Sequence, residues 1–325
     1  MGSRFLARRI VQALLTIAFI VLLNFILFRM MPGSPERVLT RNPNISAEVK
    51  AQLRAKMGLD KPLFPDQFVA FVASTAQGDF GVSYKYRGQP VTEVLGSRIW
   101  PTVILFGLGE TIAIVAGMAL GAYAGWRRGG KVDYVGNGLS LILYATPYFV
   151  LGMFLLVVFA STLGWFPTNG MLSAGAKFDS FFDQLVDFGH HLVLPLATVS
   201  LGLIGLYSIL MRSSIIGTLA EDYVQTARAK GLQDGYILRA HALPNALLPA
   251  VTIVAIQFGY VIAGAITAEI VFNWPGIGTL TVDALSARDY PVLQGIFLLS
   301  SAAVILMNLL ADVLIMALDP RVRAR

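Results

Sequence analysis

Three carboxylates lie inside long apolar stretches of this sequence, where an ionisable side chain is costly to bury. They are Glu110, Glu269 and Asp312. Such a side chain is expected to face the interior of a helix bundle or a cavity, where it can relay protons or bind a cation. It can equally pair with an arginine, a hydroxyl, a backbone group or water and join two helices. Both roles stay open from the residues alone, and Glu269 is the best candidate for a functional role because it precedes a glycine-rich turn.

The other residue types that commonly carry chemistry do not form a recognisable site. The chain has no cysteine, which excludes disulfides and thiol catalysis. His190 and His191 are adjacent and do not share a helical face, and we expect neither a carboxylate at a metal-ligand spacing beside them nor a metal site. The phosphate-binding pattern G-x-x-x-x-G-K-[ST] is absent, so we expect no catalytic residue and no ATP hydrolysis by this chain.

A charged segment at residues 218–249 lies between two apolar runs. Thr218 and Glu221 have the spacing of a capping box, and Gly231 suits the position after a helix, where a positive φ costs glycine little. The pattern predicts a short helix over residues 218–230, outside the bilayer core, and a second helix beginning at Asp234. Such a folded, charged loop indicates a docking surface, although an ordinary amphipathic surface helix fits the spacing equally well.

The elements that must hold these residues are membrane helices. Of the 325 residues, 56 % are hydrophobic and only 14 % are charged, and the mean hydropathy is +0.68, whereas soluble domains are about 25 % charged. A helix needs about 20 apolar residues to cross a bilayer. Six apolar runs are long enough, at residues 10–31, 100–126, 134–163, 192–211, 247–272 and 292–318. The sequence therefore predicts an all-α polytopic membrane protein.

Proline and glycine inside these runs predict kinks and close packing. Pro147 and Pro195 are predicted to kink the third and fourth helices. Five glycines are predicted to let helices approach one another closely, namely Gly152, Gly202, Gly205, Gly259 and Gly264.

The segment between the first two runs, residues 32–99, is polar and rich in proline, which predicts a small extramembrane subdomain. Within it, residues 46–57 have helical periodicity. The first run follows several arginines, as a signal peptide does, but its length and the lack of a cleavage site favour a retained helix. The predicted division is therefore residues 1–31, the subdomain, and a core at 100–325 that includes a loop at 212–245.

Lysine and arginine are distributed unequally between the two sides of the predicted membrane. The segments on the side of the termini and the 212–245 loop contain thirteen, whereas the short loops on the other side contain only Lys177 and Arg288. Because short cytoplasmic loops are enriched in positive residues, both termini and the 212–245 loop are predicted to be cytoplasmic. Trp274 is expected to anchor the opposite turn at the membrane interface.

The charged loop resembles the Glu-Ala-Ala loop of binding-protein-dependent ABC importer permeases. The matching positions are Gln225, Thr226, Ala227, Gly231, His241, Leu243 and Pro244. Three of them, Gln225, Thr226 and His241, depart from the general pattern. The longer string YVQTARAKG at Tyr223–Gly231 nevertheless looks like the variant found in peptide-importer permeases.

Further strings resemble the dipeptide/oligopeptide permease family and follow one another in the family's order. They are RMMPGSP at 29–35 with Ser34 in place of Asp, MGLDKP at 57–62, GDFGVS at 78–83, EIVFNWPGIG at 269–278, RDYP at 288–291 and LDPRVR at 318–323. Together with the charged loop, they extend the resemblance over nearly the whole chain. Several matches in the correct order are stronger evidence than any one of them.

The resemblance implies a type I ABC importer permease fold with six transmembrane helices in a bacterial inner membrane. It implies that the chain is one of two permease subunits of a di- or oligopeptide importer. The implied partners are a second homologous permease, two cytoplasmic ATPases that hold ATP and Mg²⁺, and an extracytoplasmic peptide-binding protein, with no cofactor in this chain and no nucleic acid. An ATP-driven importer needs no proton coupling, which favours the structural role for the three intramembrane carboxylates.

The resemblance also implies two groups of functional residues. The group expected to dock on the ATPase is Glu221, Asp222, Tyr223, Gln225, Thr226, Ala227, Arg228, Lys230, Gly231, His241, Leu243 and Pro244. The group expected at the extracytoplasmic turn, facing the binding protein, is Glu269, Phe272, Trp274, Pro275, Gly276, Gly278, Arg288, Asp289 and Tyr290.

Three alternatives remain open at the level of the sequence. The first is a secondary transporter that is driven by an ion gradient through the intramembrane carboxylates. The second is an ABC importer of another substrate, such as haem, a metal chelate or a sugar. The third is a receptor or anchoring protein that transports nothing and would lack a path between its helices.

Overall fold

The computed structural model of the chain describes residues 2–30, 60–86, 88–260 and 266–318. These residues are largely helical, and their β structure is confined to an isolated bridge between Val82 and Pro90. By length and composition, four of the described helices can cross a membrane, and a bent pair of helices makes up to five. The predicted all-α membrane class is therefore confirmed, and the predicted number of six spans is approximate.

The helices follow one another along the chain with three π-helical stretches between them. In chain order they are α1 (Gly2–Met30), α2 (Phe68–Ala76), α3 (Val91–Trp126), α4 (Lys131–Ala145), α5 (Tyr148–Leu155), α6 (Phe181–Leu219), α7 (Asp222–Ala229), α8 (Leu243–Tyr260), α9 (Ile266–Val271), α10 (Ile277–Ala287) and α11 (Tyr290–Leu318). The π-helical stretches are Leu63–Gln67, Leu156–Thr162 and Ile237–Ala242.

The run predicted as the third span is not one helix. α4 and α5 meet at a bend of 103°. Pro147 lies at the break, and the residue before it, Thr146, has an extended backbone with ψ of 121°, as expected because proline excludes the helical region for its predecessor. The predicted effect of Pro147 is thus confirmed, whereas Pro195 lies inside the uninterrupted α6.

The second and fourth predicted spans are longer than expected. α3 has 36 residues and begins at Val91, so it continues across the predicted boundary at residues 99 and 100. α6 has 39 residues. At 1.5 Å per residue these helices are about 54 and 58 Å long, whereas the hydrocarbon core of a bilayer is about 30 Å thick. Both helices therefore extend beyond the hydrocarbon core.

The fifth predicted span and part of the subdomain fall partly outside the described residues. α8 and α9 lie on either side of residues 261–265, which are not among them. The predicted helix at 46–57 and most of the motifs at 29–35 and 318–323 also lie outside the described residues.

A stripe of glycines brings α3 and α6 into close contact. Gly117, Gly121 and Gly125 recur every fourth residue on α3 and so lie on one face of that helix. A Cβ atom at Gly121 would lie 2.2 Å from the carbonyl oxygen of Ser208, and one at Gly117 would lie 2.8 Å from that of Ile204. Only residues without a side chain allow these backbones to approach so closely, as is common between membrane helices.

Glycines also mediate the packing of α6 on α4 and α5. A Cβ atom at Gly202 would lie 2.4 Å from the ring of Tyr148, and one at Gly205 would lie 2.5 Å from the Ser140 carbonyl oxygen. Gly152 contacts the α9 region more loosely. The predicted role of these three glycines is confirmed.

The described part of the subdomain packs on α1 through aromatic rings. Phe25 of α1 is buried, and its ring centroid lies 5.3–5.6 Å from those of Phe64, Phe68 and Phe71. These contacts attach α2 to the C-terminal part of the first membrane helix.

Candidate functional sites

The charged loop contains the short helix α7, which is seated on the end of α6. Val224 and Ala227 are buried on one side of α7 and form a cluster with Ile237, against which Leu219 of α6 packs. Two apolar residues three positions apart lie on one helical face. The polar side chains of α7 are therefore directed away from the bundle, as a docking surface requires.

The predicted end of this helix is confirmed at Gly231. Its φ is +79°, its N–H donates to the carbonyl of Arg228 at 2.9 Å, and the Leu232 N–H donates to the carbonyl of Ala227 at 3.3 Å. This pair of hydrogen bonds is the Schellman motif, which ends a helix with a left-handed residue. A glycine is favoured there because it lacks a Cβ atom.

The predicted beginning of this helix is wrong. Thr218 belongs to the last turn of α6, which ends at Leu219, and α7 begins at Asp222 with Glu221 as its N-cap. The Glu221 side chain makes no capping hydrogen bond. The capping-box spacing thus occurs across a junction between two helices, because α6 is kept helical by the packing of its last turns against neighbouring elements.

The second half of the loop is helical from Asp234 onward, as predicted. A single turn at Asp234–Tyr236 leads into the π-helical stretch Ile237–Ala242 and then into α8. Pro244 lies at the second residue of α8 and lacks the N–H that a continuous α-helix would bond to the preceding turn. The π-helical widening just before it accommodates this loss.

Contacts between the two halves hold the loop together. The carbonyl oxygen of His241 accepts hydrogen bonds from the Tyr223 hydroxyl at 3.4 Å and from Asn245 Nδ2 at 2.8 Å. Arg228 and Asp234 approach to 3.8 Å on the exposed side, a contact that adds little stability in water. Among the predicted ATPase-facing residues, Ala227 is buried, His241 and Leu243 are half-buried, and the remaining ones are exposed.

The second predicted group surrounds a buried carboxylate of α9. Glu269 is fully buried, and its Oε1 accepts a hydrogen bond from the Thr102 hydroxyl of α3 at 2.7 Å while its Oε2 accepts one from the Thr279 N–H at 3.0 Å. A Cβ atom at Gly276 would lie 2.2 Å from Oε1, and one at Gly278 would lie 3.0 Å from Oε2. The two glycines let the turn wrap closely around the carboxylate.

Trp274 is a core residue of this turn and not the interfacial anchor that was expected. It is fully buried, and its Nε1–H donates to the Pro101 carbonyl of α3 at 2.9 Å. The Ile277 N–H donates to the Thr102 hydroxyl oxygen at 2.8 Å. A buried indole needs an acceptor for its N–H, and α3 supplies one next to the residue that bonds Glu269.

Asp289 joins the RDYP string to the distant GDFGVS string. It is fully buried, and its Oδ2 accepts hydrogen bonds from the Ser83 hydroxyl at 2.5 Å and the Lys85 N–H at 3.0 Å. The Lys85 Nζ lies 2.9 Å from Asp283 Oδ1 of α10. Arg288, in contrast, is exposed and has a left-handed φ of +54° at the end of α10.

Most of the second predicted group is therefore internal framework. Six of its members are buried, namely Glu269, Phe272, Trp274, Gly276, Gly278 and Asp289. Pro275 and Tyr290 are half-buried, and Arg288 is exposed.

Each of the three intramembrane carboxylates has a partner on another helix. Glu110 of α3 accepts a hydrogen bond from the Tyr207 hydroxyl of α6. Asp312 of α11 lies 3.2 Å from Arg9 Nε of α1. With Glu269 bonded to α3, all three acids join helices that are far apart in sequence, which agrees with a structural role.

The adjacent histidines do have a carboxylate nearby, contrary to expectation. Asp187 precedes His191 by one helical turn, and its Oδ2 lies 3.6 Å from His191 Nδ1, because residues four apart share a helical face. The Asp187 carbonyl also contacts His191 Nδ1 at 2.9 Å, and His190 Nε2 contacts the Trp165 carbonyl at 2.7 Å. In the part of the chain that the structure describes, no three His, Asp or Glu side chains are grouped as metal ligands.

Several partner residues do not stand out in the sequence. Thr102 and Tyr207 lie inside apolar runs, 167 and 97 positions from the carboxylates that they bond. No local spacing indicates such pairs. Asp133 carries a weak signal, since it is the one acid in a short basic segment at the start of a run.

The fold and these sites define a polytopic bundle of membrane helices with a folded polar loop at the end of one long helix. Residues 117–324 match the family described as the binding-protein-dependent transport system inner membrane component, and residues 2–103 match the N-terminal part of the membrane components of these systems. The chain belongs to this family of inner-membrane transport components. It is a multi-pass permease subunit of the inner membrane and not itself the catalytic subunit.

Two relatives are similar over nearly the whole chain. The "probable peptide ABC transporter permease protein" of Sinorhizobium fredii is 37 % identical over 98 % of this chain and 99 % of its own length. The glutathione transport system permease protein of Salmonella choleraesuis is 37 % identical over 98 % of each chain. Among solved structures, a chain of the MetNI methionine ABC transporter in an inward-facing conformation has a TM-score of 0.56 at 15 % identity, covering 70 % of this chain and 97 % of that one. This likeness confirms the predicted importer-permease fold.

Proposed function

We propose that this chain is one of the two transmembrane subunits of an ATP-driven importer of di- or oligopeptides. The observation that carries the proposal is the end-to-end similarity to a protein named as a peptide permease. A second relative of the same coverage is named for glutathione, which is itself a small peptide. The proposed partners are a second homologous permease, two ATPases that hold ATP and Mg²⁺, and an extracytoplasmic peptide-binding protein.

The exposed side of α7 is the proposed contact with an ATPase. It presents both signs of charge on a short rigid helix, with Glu221 and Asp222 near its beginning and Arg228 and Lys230 near its end. Such a distribution suits a groove of mixed charge, because each end of the helix also carries the dipole charge that its side chains complement. Because the buried side of α7 packs against Leu219, movement of the docked surface can be transmitted to α6.

The transport cycle follows from coupling between this contact and the bundle. Closure of the ATPase dimer on ATP moves α7 and with it the end of α6, which shifts the bundle from an inward-facing to an outward-facing state. The binding protein then releases peptide into a cavity between the two permeases. In thermodynamic terms, ATP binding favours one of two states of the bundle because the transporter binds ATP more tightly in that state than in the other.

The proposed orientation places the 212–245 loop and both termini in the cytoplasm. It is supported by the excess of lysine and arginine on that side. The subdomain and the turn at 273–291 then face the binding protein. Arg288 is the exposed member of the second predicted group. The buried Glu269 accepts a hydrogen bond from Thr279 of α10, and the buried Asp289, just after the end of α10, bonds Ser83.

The test is reconstitution of the tagged chain with the proteins that co-purify with it in mild detergent. We expect a P-loop ATPase and a second permease to co-purify, and peptide-loaded binding protein to stimulate ATP hydrolysis in proteoliposomes. Uptake should require ATP and persist when an ionophore collapses ion gradients. Uptake that stops with the ionophore at saturating ATP would instead support the ion-driven transporter, and stimulation by haem or metal chelates but not peptides would change the substrate class.

A further inference from the structure

We propose that the ion pair between Asp133 and Arg212 is the contact that couples movement of α7 to the bend between α4 and α5. The two residues are positioning residues for transport and do not contact the substrate. The inference rests on the proposed function, because it takes α7 as the element that the ATPase moves.

Two contacts fix both the orientation of the Arg212 guanidinium against the Asp133 carboxylate and the distance between them. Arg212 Nε lies 2.5 Å from Asp133 Oδ1, and Arg212 Nη2 lies 3.0 Å from Oδ2. Oδ2 also accepts a hydrogen bond from the Gly129 N–H at 2.9 Å, and Asp133 is only 3 % exposed. A two-point contact between guanidinium and carboxylate resists rotation in a way that a single hydrogen bond does not. The first turn of α4, the α3–α4 loop and α6 therefore meet at one carboxylate.

On the α6 side, Arg212 is carried by the same packed unit as α7. It lies two turns before the end of α6, where Leu219 packs under Val224 of α7. Between them, Ile215 is fully buried against Ala246 of α8. Close-packed interiors transmit displacement with little compression, so a shift of α7 shifts Arg212.

On the α4 side, the contact continues along the helix to the bend. The Ser140 hydroxyl donates a hydrogen bond to the Ser208 hydroxyl at 2.8 Å, and Gly205 allows the two backbones to touch. After the bend of 103°, Gly152 of α5 faces Phe272 and Val271 at the end of α9. A displacement at the base of α4 therefore changes how α5 lies against α9.

Electrostatics single out the ion pair among these contacts. It is the one ion pair between α4 and α6 in the described structure, and it lies at the end of α4 nearest to α7. The neighbouring Arg127, Arg128 and Lys131 are exposed cations. Without the Asp133 charge, Arg212 would face this basic segment unpaired, and repulsion would separate the base of α4 from α6.

The test uses the complete transporter, reconstituted with its ATPases, second permease and peptide-loaded binding protein. For Asp133→Asn we expect peptide uptake per ATP hydrolysed to fall about tenfold, which is a typical magnitude for a coupling between sites, while basal ATP hydrolysis stays within about twofold. Arg212→Lys keeps the charge but loses the two-point geometry and should give a smaller fall. The double exchange Asp133→Arg with Arg212→Asp should restore part of the coupling.

The matched control is Asp183→Asn, which removes an exposed carboxylate from the opposite end of α6 and should leave uptake per ATP unchanged. Wild-type coupling in Asp133→Asn would overturn the inference. A parallel loss of assembled complex, hydrolysis and uptake in both single variants, without rescue by the exchange, would reduce the pair to a folding contact and also overturn it. If peptide-loaded binding protein does not stimulate ATP hydrolysis by the wild-type transporter, the proposed function itself is overturned.

Discussion

At the scale of single residues, burial decides what the carboxylates of this permease do. Glu269 is removed from solvent, yet both of its oxygens accept hydrogen bonds and two glycines make room for it. A buried polar group that loses one partner costs about 1–3 kcal/mol, because its desolvation is no longer offset. Glu269 thus holds the turn against α3 and α10 through its hydrogen bonds. Its replacement should lower the stability of the folded complex and leave proton coupling unaffected.

Glu269→Gln tests this assignment. The glutamine amide has the shape of the carboxyl group, but one of its two oxygens is replaced by an NH₂ group. That NH₂ group would face the Thr102 hydroxyl or the Thr279 N–H, which donate hydrogen bonds to Glu269 in the wild type. We expect the purified complex to lose about 1–3 kcal/mol of stability, measured as a lower melting temperature, with an unchanged pH profile of uptake. Gly276→Ala, whose Cβ atom would overlap the carboxylate, should be more damaging. A shifted pH profile in Glu269→Gln would indicate a proton-relay role instead.

Gly231 tests the docking loop at the same scale. Proline requires φ near −65°, whereas Gly231 has φ of +79°, so Gly231→Pro should break the turn that follows α7. We expect peptide-stimulated ATP hydrolysis and uptake to be lost while the membrane bundle remains folded.

Gly231→Ala is the matched control, since no atom lies within 4 Å of its added Cβ. It bears only the cost of the left-handed backbone, about 1–2 kcal/mol, and should retain most activity. Intact coupling in Gly231→Pro would show that this loop does not dock on the ATPase.

At the scale of elements, the contact between α3 and α6 depends on the absence of side chains. The oxygen that a Cβ atom at Gly121 would meet belongs to the Ser208 backbone and cannot rotate away. Two long helices therefore pack at a distance that any larger residue would increase. The close approach also brings Tyr207 to Glu110.

Gly121→Ala should therefore destabilise the bundle by about 1–3 kcal/mol, as overpacking does in well-packed cores. Gly107→Ala is the control, because it lies on the same helix with no atom within 4 Å of an added Cβ. The measurement is the fraction of each variant that stays monodisperse in detergent after a temperature series. Equal behaviour of the two variants would mean that the helices separate at little cost.

At the scale of the whole molecule, the proposed function depends on which end of the bundle faces the ATPase. The chain contains no cysteine, so each introduced cysteine is a unique label. Lys230→Cys in the loop and Arg288→Cys in the turn both replace exposed residues. We expect a membrane-impermeant maleimide to label Arg288→Cys in intact cells and Lys230→Cys only in inside-out vesicles. The reverse pattern would invert the orientation and remove the loop from reach of a cytoplasmic ATPase.

Local physical signals account for the features that could be predicted. Apolar runs of about 20 residues are a requirement of the bilayer, and a glycine after a charged helix reflects its access to positive φ. Both predictions are confirmed, the number of spans approximately. The prediction from the capping-box spacing at Thr218 is wrong because α6 continues to Leu219. The prediction for Trp274 is wrong because interfacial and buried tryptophans have the same local sequence context, whereas the hydrogen bond to the Pro101 carbonyl forms only in the folded chain.

The membrane class, the approximate positions of the spans and the position of Gly231 follow from the amino-acid sequence alone, because solvent transfer and backbone sterics act on residues close together in the chain. The fold, in contrast, pairs Glu269 with Thr102, Glu110 with Tyr207 and Asp133 with Arg212. Those partners are brought together by the packing of helices distant in sequence. Hydrogen bonds and ion pairs act over about 3 Å in space, a distance that the order of residues along the chain does not specify.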